Sequence, residues 1–317
     1  MAFSVSTNEH LIRSNIWSPK LKEILEDELM GWKYVDMITD FPDGDTINIP
    51  SIGQAQVHNF AEGQKALYNS MDTGNFTYSI TEYLQSGMYI TEKMKQDSFY
   101  TGRLVASFIP KMHRAIAKRI ETDLLSIGPL GQTVSNANTI FGADHRWVGS
   151  GTSSTIDVTD FAKARYSLKK ANVPDQNLIA IVDPTVEYKL NTLTNLVNMS
   201  YNPMWEGIVT SGIATGLKFI RNIYGFDVYV SNNLYAPGTS ETIGSKTASN
   251  GVHNLFFSAS QDVLPFVGSI RQPPKVDSEY NKDEQREEYV VTCRYGTGFY
   301  RPENFVDVIT NVDQVTF

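Results

Sequence analysis

Residues 96–128 read QDSFYTGRLVASFIPKMHRAIAKRIETDLLSIG, with apolar side chains at Val105, Phe108, Ile109, Met112, Ile116, Ile120, Leu124 and Ile127. Spacings of three and four put these on one stripe of an α-helix, and the stripe demands a surface to lie on. Arg103, Lys111, Arg114 and Lys118 make a basic line on another face, where long stems lie along apolar surface with their heads in water. Asp97 or Ser98 is the expected N-cap, and Gly128-Pro129 the expected stop. About 30 residues at roughly 1.5 Å each give a rod of ~45 Å, longer than the core of one compact domain requires. Such a helix serves as a spine. Pro110 lies inside it without an amide hydrogen and crowds the carbonyl of Ala106, which predicts a helix bend there; the stripe keeps its phase across the proline, so a bend is expected rather than a break.

The rest of the 317-residue chain is 41% hydrophobic and 20% charged, enough for one large domain or two smaller ones. A formal charge of -8 lacks the positive footprint that phosphate binding needs, which argues against a sequence-reading nucleic-acid protein. No run nears the ~18 apolar residues of a membrane helix, and the first residues lack the basic start and apolar block of a secretory signal. Synthesis in a cytoplasm, with no membrane partner, is the expectation. The single cysteine, Cys293, excludes an intrachain disulfide framework and a thiolate zinc cluster together.

Ahead of the spine, residues 1–15 read as an arm that frays unless a neighbour ties it down, and residues 19–29 as a short acidic amphipathic helix. A loose strand is expected over 31–40, then a Pro-Asp-Gly turn at 41–45. In residues 46–57, Ile47 and Ile49 alternate with Thr46 and Asn48. In 73–84, Phe76, Tyr78 and Ile80 face one way and Asn75, Thr77, Ser79 and Thr81 the other, the period of a ribbon with one wet side. These two strands make a hairpin with a long tip at 59–72. A two-stranded ribbon is marginal in water, so it wants a partner outside its own domain. After the spine, Gly- and Ser-rich loops run to a boundary near Ser150. Beyond it come a helix over 161–171 capped by Thr159 or Asp160, a fully apolar strand at 178–182, and a helix starting at Asp183-Pro184. Strands follow at 226–230, 253–258, 289–295 and 305–309, with a polar loop at 236–251 and a solvated charge run at 279–288.

Chemistry is sparse. The five histidines, at 10, 58, 113, 145 and 253, form no metal-binding pair, and the nucleophile-elbow, phosphate-loop and dinucleotide motifs are missing, so no catalytic residue, metal ligand or cofactor is assigned. Asp144-His145 is the one adjacent acid and imidazole, read as a polar loop pair. Asp43-Gly44-Asp45 reads as a turn rather than a calcium loop, and Gly244-Ser245-Lys246-Thr247 only looks like a phosphate loop. Glu62-Gly63 at the ribbon tip fits either a contact that needs a tight turn and a charge partner, or a solvated turn. The basic line is equally open between a solvated face and a charge-paired interface.

The order of parts resembles the major capsid protein of tailed bacteriophages, whose fold is shared with encapsulin nanocompartments. The resemblance spans nearly the whole chain and is carried by DTINIPSIGQAQVHNFAEG with its partner TGNFTYSITEY, by the spine, and by ARYSLKKANVPDQNLIAIVDPTVEYKL with IYGFDVYVSNNL. It implies an α+β fold: an arm (1–45), an extended two-stranded loop (46–92), a peripheral domain with the spine helix (93–154), an axial domain (155–288) and return strands to the peripheral domain (289–317). It implies, further, a non-enzymatic shell protein of the virion, assembled in the host cytoplasm from pentamers and hexamers into an icosahedral shell around double-stranded DNA that it meets only by proximity. Glu62, Gly63, Lys65 and Tyr68 at the loop tip become inter-subunit contacts. With 45 residues ahead of the ribbon, a separate scaffolding protein is expected, beside a portal and a decoration protein. The alternative is an encapsulin-like compartment that loads cargo enzymes.

Overall fold

The computed structural model describes residues 31–39, 44–53, 57–59, 62–65, 73–97, 101–192 and 222–312. Residues 1–30 of the expected arm, with its acidic helix, and Tyr68 at the loop tip lie outside these residues. A 3-10 turn over Gly31–Tyr34 leads into β1 (Val35–Met37), followed by β2 (Thr46–Ile52), β3 (Thr73–Ser79), β4 (Glu82–Thr91), α1 (Glu92–Asp97) and α2 (Thr101–Leu130). Next come β5 (Thr139–Ile140), β6 (Ala143–Asp144), β7 (Arg146–Val148), α3 (Val158–Lys170), β8 (Leu178–Val182) and α4 (Pro184–Thr192). The chain continues through β9 (Asn222–Ile223), β10 (Phe226–Val230), β11 (Glu241–Ile243), β12 (Lys246–Ala248), β13 (Gly251–Ser258), β14 (Phe266–Asn281), β15 (Arg286–Phe299) and β16 (Val306–Asn311).

Two sheets carry these elements, one of six strands in the order β7-β16-β13-β8-β10-β9 and one of four in the order β1-β14-β15-β4. The apolar run LIAIV is buried along its whole length because it is covered on both faces. Leu178, Ala180 and Val182 pack with Phe161 and Leu168 of α3 and Val186 of α4, while Ile179 and Ile181 pack with Leu124 and Leu125 of the spine. Three edge-to-face rings, Phe161, Phe226 and Phe256, fill the first of these cores with centroids 5.1 to 6.3 Å apart.

The spine joins the two sheets. Met112, Ile116 and Ile120 lie against Val291, Cys293 and Tyr295 of β15, and one to two turns later Leu124 and Leu125 enter the core of the six-stranded sheet. Burial of Tyr295 raises its phenol pKa, helped by the bond it donates to Asp123. Phe108, at the other end of the expected stripe, is exposed.

Several boundaries differ from the sequence reading. The helix passes Pro110 without a break, as its unbroken stripe predicts, but continues past the expected stop at Gly128-Pro129 to Leu130. A Cβ on Gly128 would lie 2.4 Å from the Phe305 ring, so this glycine serves close packing and not termination. At the front, helix is already present over Glu92–Asp97, ahead of the start expected at 96–98. The cap of α3 is Asp157, whose amide donates to Asp160 Oδ2 at 2.9 Å; Asp160 is buried, and also accepts from the Trp147 indole at 3.1 Å and the Ser150 amide at 3.0 Å. The stretch expected as one strand begins as a 3-10 turn over Gly31–Tyr34, and only Val35–Met37 is strand, running parallel to β14. The charge run at 279–288 is the largely exposed end of the β14–β15 hairpin. Of the expected return strands, β15 pairs with β4 beside the spine, and β16 pairs with β7 and β13 in the six-stranded sheet.

Candidate functional site: the ribbon and its root

The ribbon has the register that its alternation predicts. Ile47 opposes Tyr78 and Ile49 opposes Phe76 on the apolar side, while Thr77 donates to Asn48 at 2.6 Å on the wet side. The expected single strand over 73–84 is two strands. Up to Ser79 the chain pairs with β2; from Glu82 it pairs with β15, and Ile80-Thr81 between them belongs to neither. The cause is that one segment cannot follow two partners that diverge, so the ladder breaks where they part.

This root is fastened firmly. Ile80 is buried; its amide donates to the Asp45 carbonyl at 2.6 Å, and its carbonyl accepts from Arg294 at 3.3 Å. Arg271 donates to the Gly44 carbonyl on the other leg. Phe76 meets Tyr300 edge to face at 5.2 Å. At the tip, Glu62, Gly63 and Lys65 are all exposed, and Gly63 sits in a turn at φ +84, a conformation that favours glycine. On the spine, Lys111 and Arg114 are half-buried and Lys118 exposed; Arg114 and Lys118 each engage partners. Arg103 lies in the helix, with its side chain outside the described residues. Pro110 is exposed within it.

The residues singled out for chemistry are not brought together. His145 is buried with Nδ1 at 3.0 Å from the Ala143 carbonyl, and burial lowers its pKa, whereas Asp144 turns to Thr139 and Lys163. The polar cluster that does form was not legible as one. Arg146 lies 3.2 Å from Glu241 and 3.3 Å from Asp307, and His253 lies 3.2 and 2.8 Å from the same two carboxylates. All four are buried. Glu241 comes from the stretch expected as a polar surface loop, which is the β11–β12 hairpin turning at Gly244-Ser245. No water-accessible reactive group results. The quartet ties this hairpin to β7, β13 and β16, a structural use of buried charge. Among the described residues, no group of three or more His, Cys, Asp or Glu could hold a metal ion, and no helix is long and apolar enough to cross a membrane.

A family model described as phage capsid protein matches residues 75–308, which covers most of the second ribbon strand, the spine and most of both sheets. The chain belongs to the phage capsid protein family. The solved structures similar to this capsid chain include that of Mycobacterium phage Che8, at 15% identity and a TM-score of 0.67, covering 94% of this chain and 97% of the other. The capsid of cyanophage P-SCSP1u gives 16% identity and a TM-score of 0.71 over 95% of this chain and 93% of the other. The capsid of a native GTA particle gives 9% and 0.65 over 98% and 99%. At such identities the likeness is one of fold. No curated protein matches in sequence. The α+β class expected from the sequence is that of these capsids, and the cargo-compartment alternative is not favoured.

Proposed function

We propose that this capsid chain is the major shell subunit of a tailed phage, closing through pentamers and hexamers into an icosahedral head around double-stranded DNA. The observation that carries the reading is the ribbon. Its root is locked into the body, yet of its described side chains in β2 and β3 only Tyr78 is buried, so its remaining faces and edges are left for another copy. A head-to-tail contact of this kind repeats around a ring and closes it. Glu62, Gly63, Lys65 and Tyr68 are then the tip residues that meet the neighbouring subunit. The basic line of the spine faces acidic groups of the arm or of a neighbour's loop, and a bend at Pro110 sets the curvature of the subunit. An acidic chain keeps the inner surface from gripping packaged DNA. A scaffolding protein, a portal and a decoration protein complete the assembly, which proceeds in the host cytoplasm.

Electron microscopy of the purified protein across a concentration series tests this directly. Rings and closed shells are expected; stable monomers at every concentration, with neither form present, would sink it.

A further inference from the structure

Two glycines of β15 lie where the ribbon crosses the body. The pairing of β15 with β4 ends at Tyr295 opposite Glu82, and the next residue is Gly296. A Cβ there would lie 2.9 Å from both Ile80 Cα and the Ser79 carbonyl oxygen, closer than real side chains approach backbone. Two residues on and facing the same way, a Cβ on Gly298 would meet Phe76 Cζ and Tyr78 Cβ at 3.2 Å and Val267 at 3.0 Å. Neither glycine has a positive φ, so what they supply is space and not a special backbone conformation. In the sequence they stand as Tyr-Gly-Thr-Gly-Phe, glycine at every second position of an aromatic-flanked strand, which signals close approach of another backbone.

We infer that Gly296 and Gly298 form a seat that fixes the direction in which the ribbon leaves the subunit, and so act as positioning residues for its contacts. The consequence for assembly rests on the reading of the ribbon as an inter-subunit contact; the seat itself does not. A methyl group at Gly296 pushes the root outward by roughly 0.7 Å to reach ordinary carbon contact. The ribbon is about 23 Å long and pivots across a strand spacing of about 4.8 Å, which turns that push into a tip displacement of about 3 Å.

The experiment places spin labels at Lys65→Cys on the tip and Asp262→Cys on the body, diluted with unlabelled protein so that only distances within one chain are read. Cys293 is fully buried and its thiol pKa is raised by burial, so it stays unlabelled. The parent protein should give one narrow distance. Gly296→Ala should shift or broaden it by about 3 Å, and Gly298→Ala by less, because its neighbours are mostly side-chain atoms that can give. Gly87→Ala, whose Cβ would meet its nearest neighbour at an ordinary 3.5 Å, should leave it unchanged. All three variants should still melt cooperatively. An unchanged distance in Gly296→Ala overturns the seat, as does failure of both Gly296→Ala and Gly298→Ala to fold, which would place these glycines in the core. A shifted distance with shells of unaltered form supports the seat and overturns the contact role of the ribbon.

Discussion

The strands of the six-stranded sheet and those of the ribbon meet opposite circumstances. In β8 and β13 every residue is buried within the subunit itself. In the ribbon the cross-strand pairs are as regular, but burial stops at the root. The difference shows how one sequence separates strands buried on both faces from a projection whose faces are left largely exposed, and on the proposed reading those exposed faces and edges are what another copy would meet.

The strongest way to break that comparison is to delete residues 59–72. The subunit should keep its cooperative unfolding while shells disappear from electron micrographs altogether; a variant that unfolds would make the tip part of the core. Next in size is Arg146→Met, which leaves the buried carboxylates of Glu241 and Asp307 facing His253 without the guanidinium and should cost about 3–5 kcal/mol in urea unfolding. A loss under 1 kcal/mol would mean that the quartet is hydrated. Leu124→Ala, at the point where the spine enters the second core, should cost about 2–5 kcal/mol. By contrast, Lys65→Ala at the tip should change subunit stability by less than about 0.5 kcal/mol while weakening assembly.

The smallest effect belongs to the rim of the body. Asp175 is held by Arg165 at 2.6 Å and by Lys169 at 2.8 Å, and its pKa falls from 3.8 to about 2, chiefly through the hydrogen bond from Arg165. A carboxylate whose folded pKa is depressed stabilises the fold above its unfolded value and loses that contribution as pH falls from about 4 to about 2. Asp175→Asn should therefore lower stability at neutral pH by less than about 1 kcal/mol, since the pair is partly exposed and screened, and make no difference below about pH 2, so that its stability–pH curve is flatter between about 4 and 2.

Much of this contrast was legible in the residues themselves. The alternation of Phe76, Tyr78 and Ile80 gave the facing of the ribbon, LIAIV gave a doubly covered strand, and the period from Met112 to Leu124 gave the spine. What escaped were features that depend on a third element. The break at Ile80-Thr81 exists because β2 and β15 diverge. Gly128 reads as a stop until Phe305 is seen lying against it. Glu241 reads as loop polarity until Arg146 and His253, from distant strands, close around it.

By itself, then, the sequence determined the spine helix, the α3–β8–α4 run and the alternation of the ribbon strands, because those follow from local period and side-chain type, whereas β14 and the β11–β12 hairpin carry no such pattern. Only the tertiary structure decided where the helix ends, how the last strands divide between two sheets and in what direction the ribbon points. Each of these is set by contacts between residues far apart in the chain, and local patterning carries no record of such contacts.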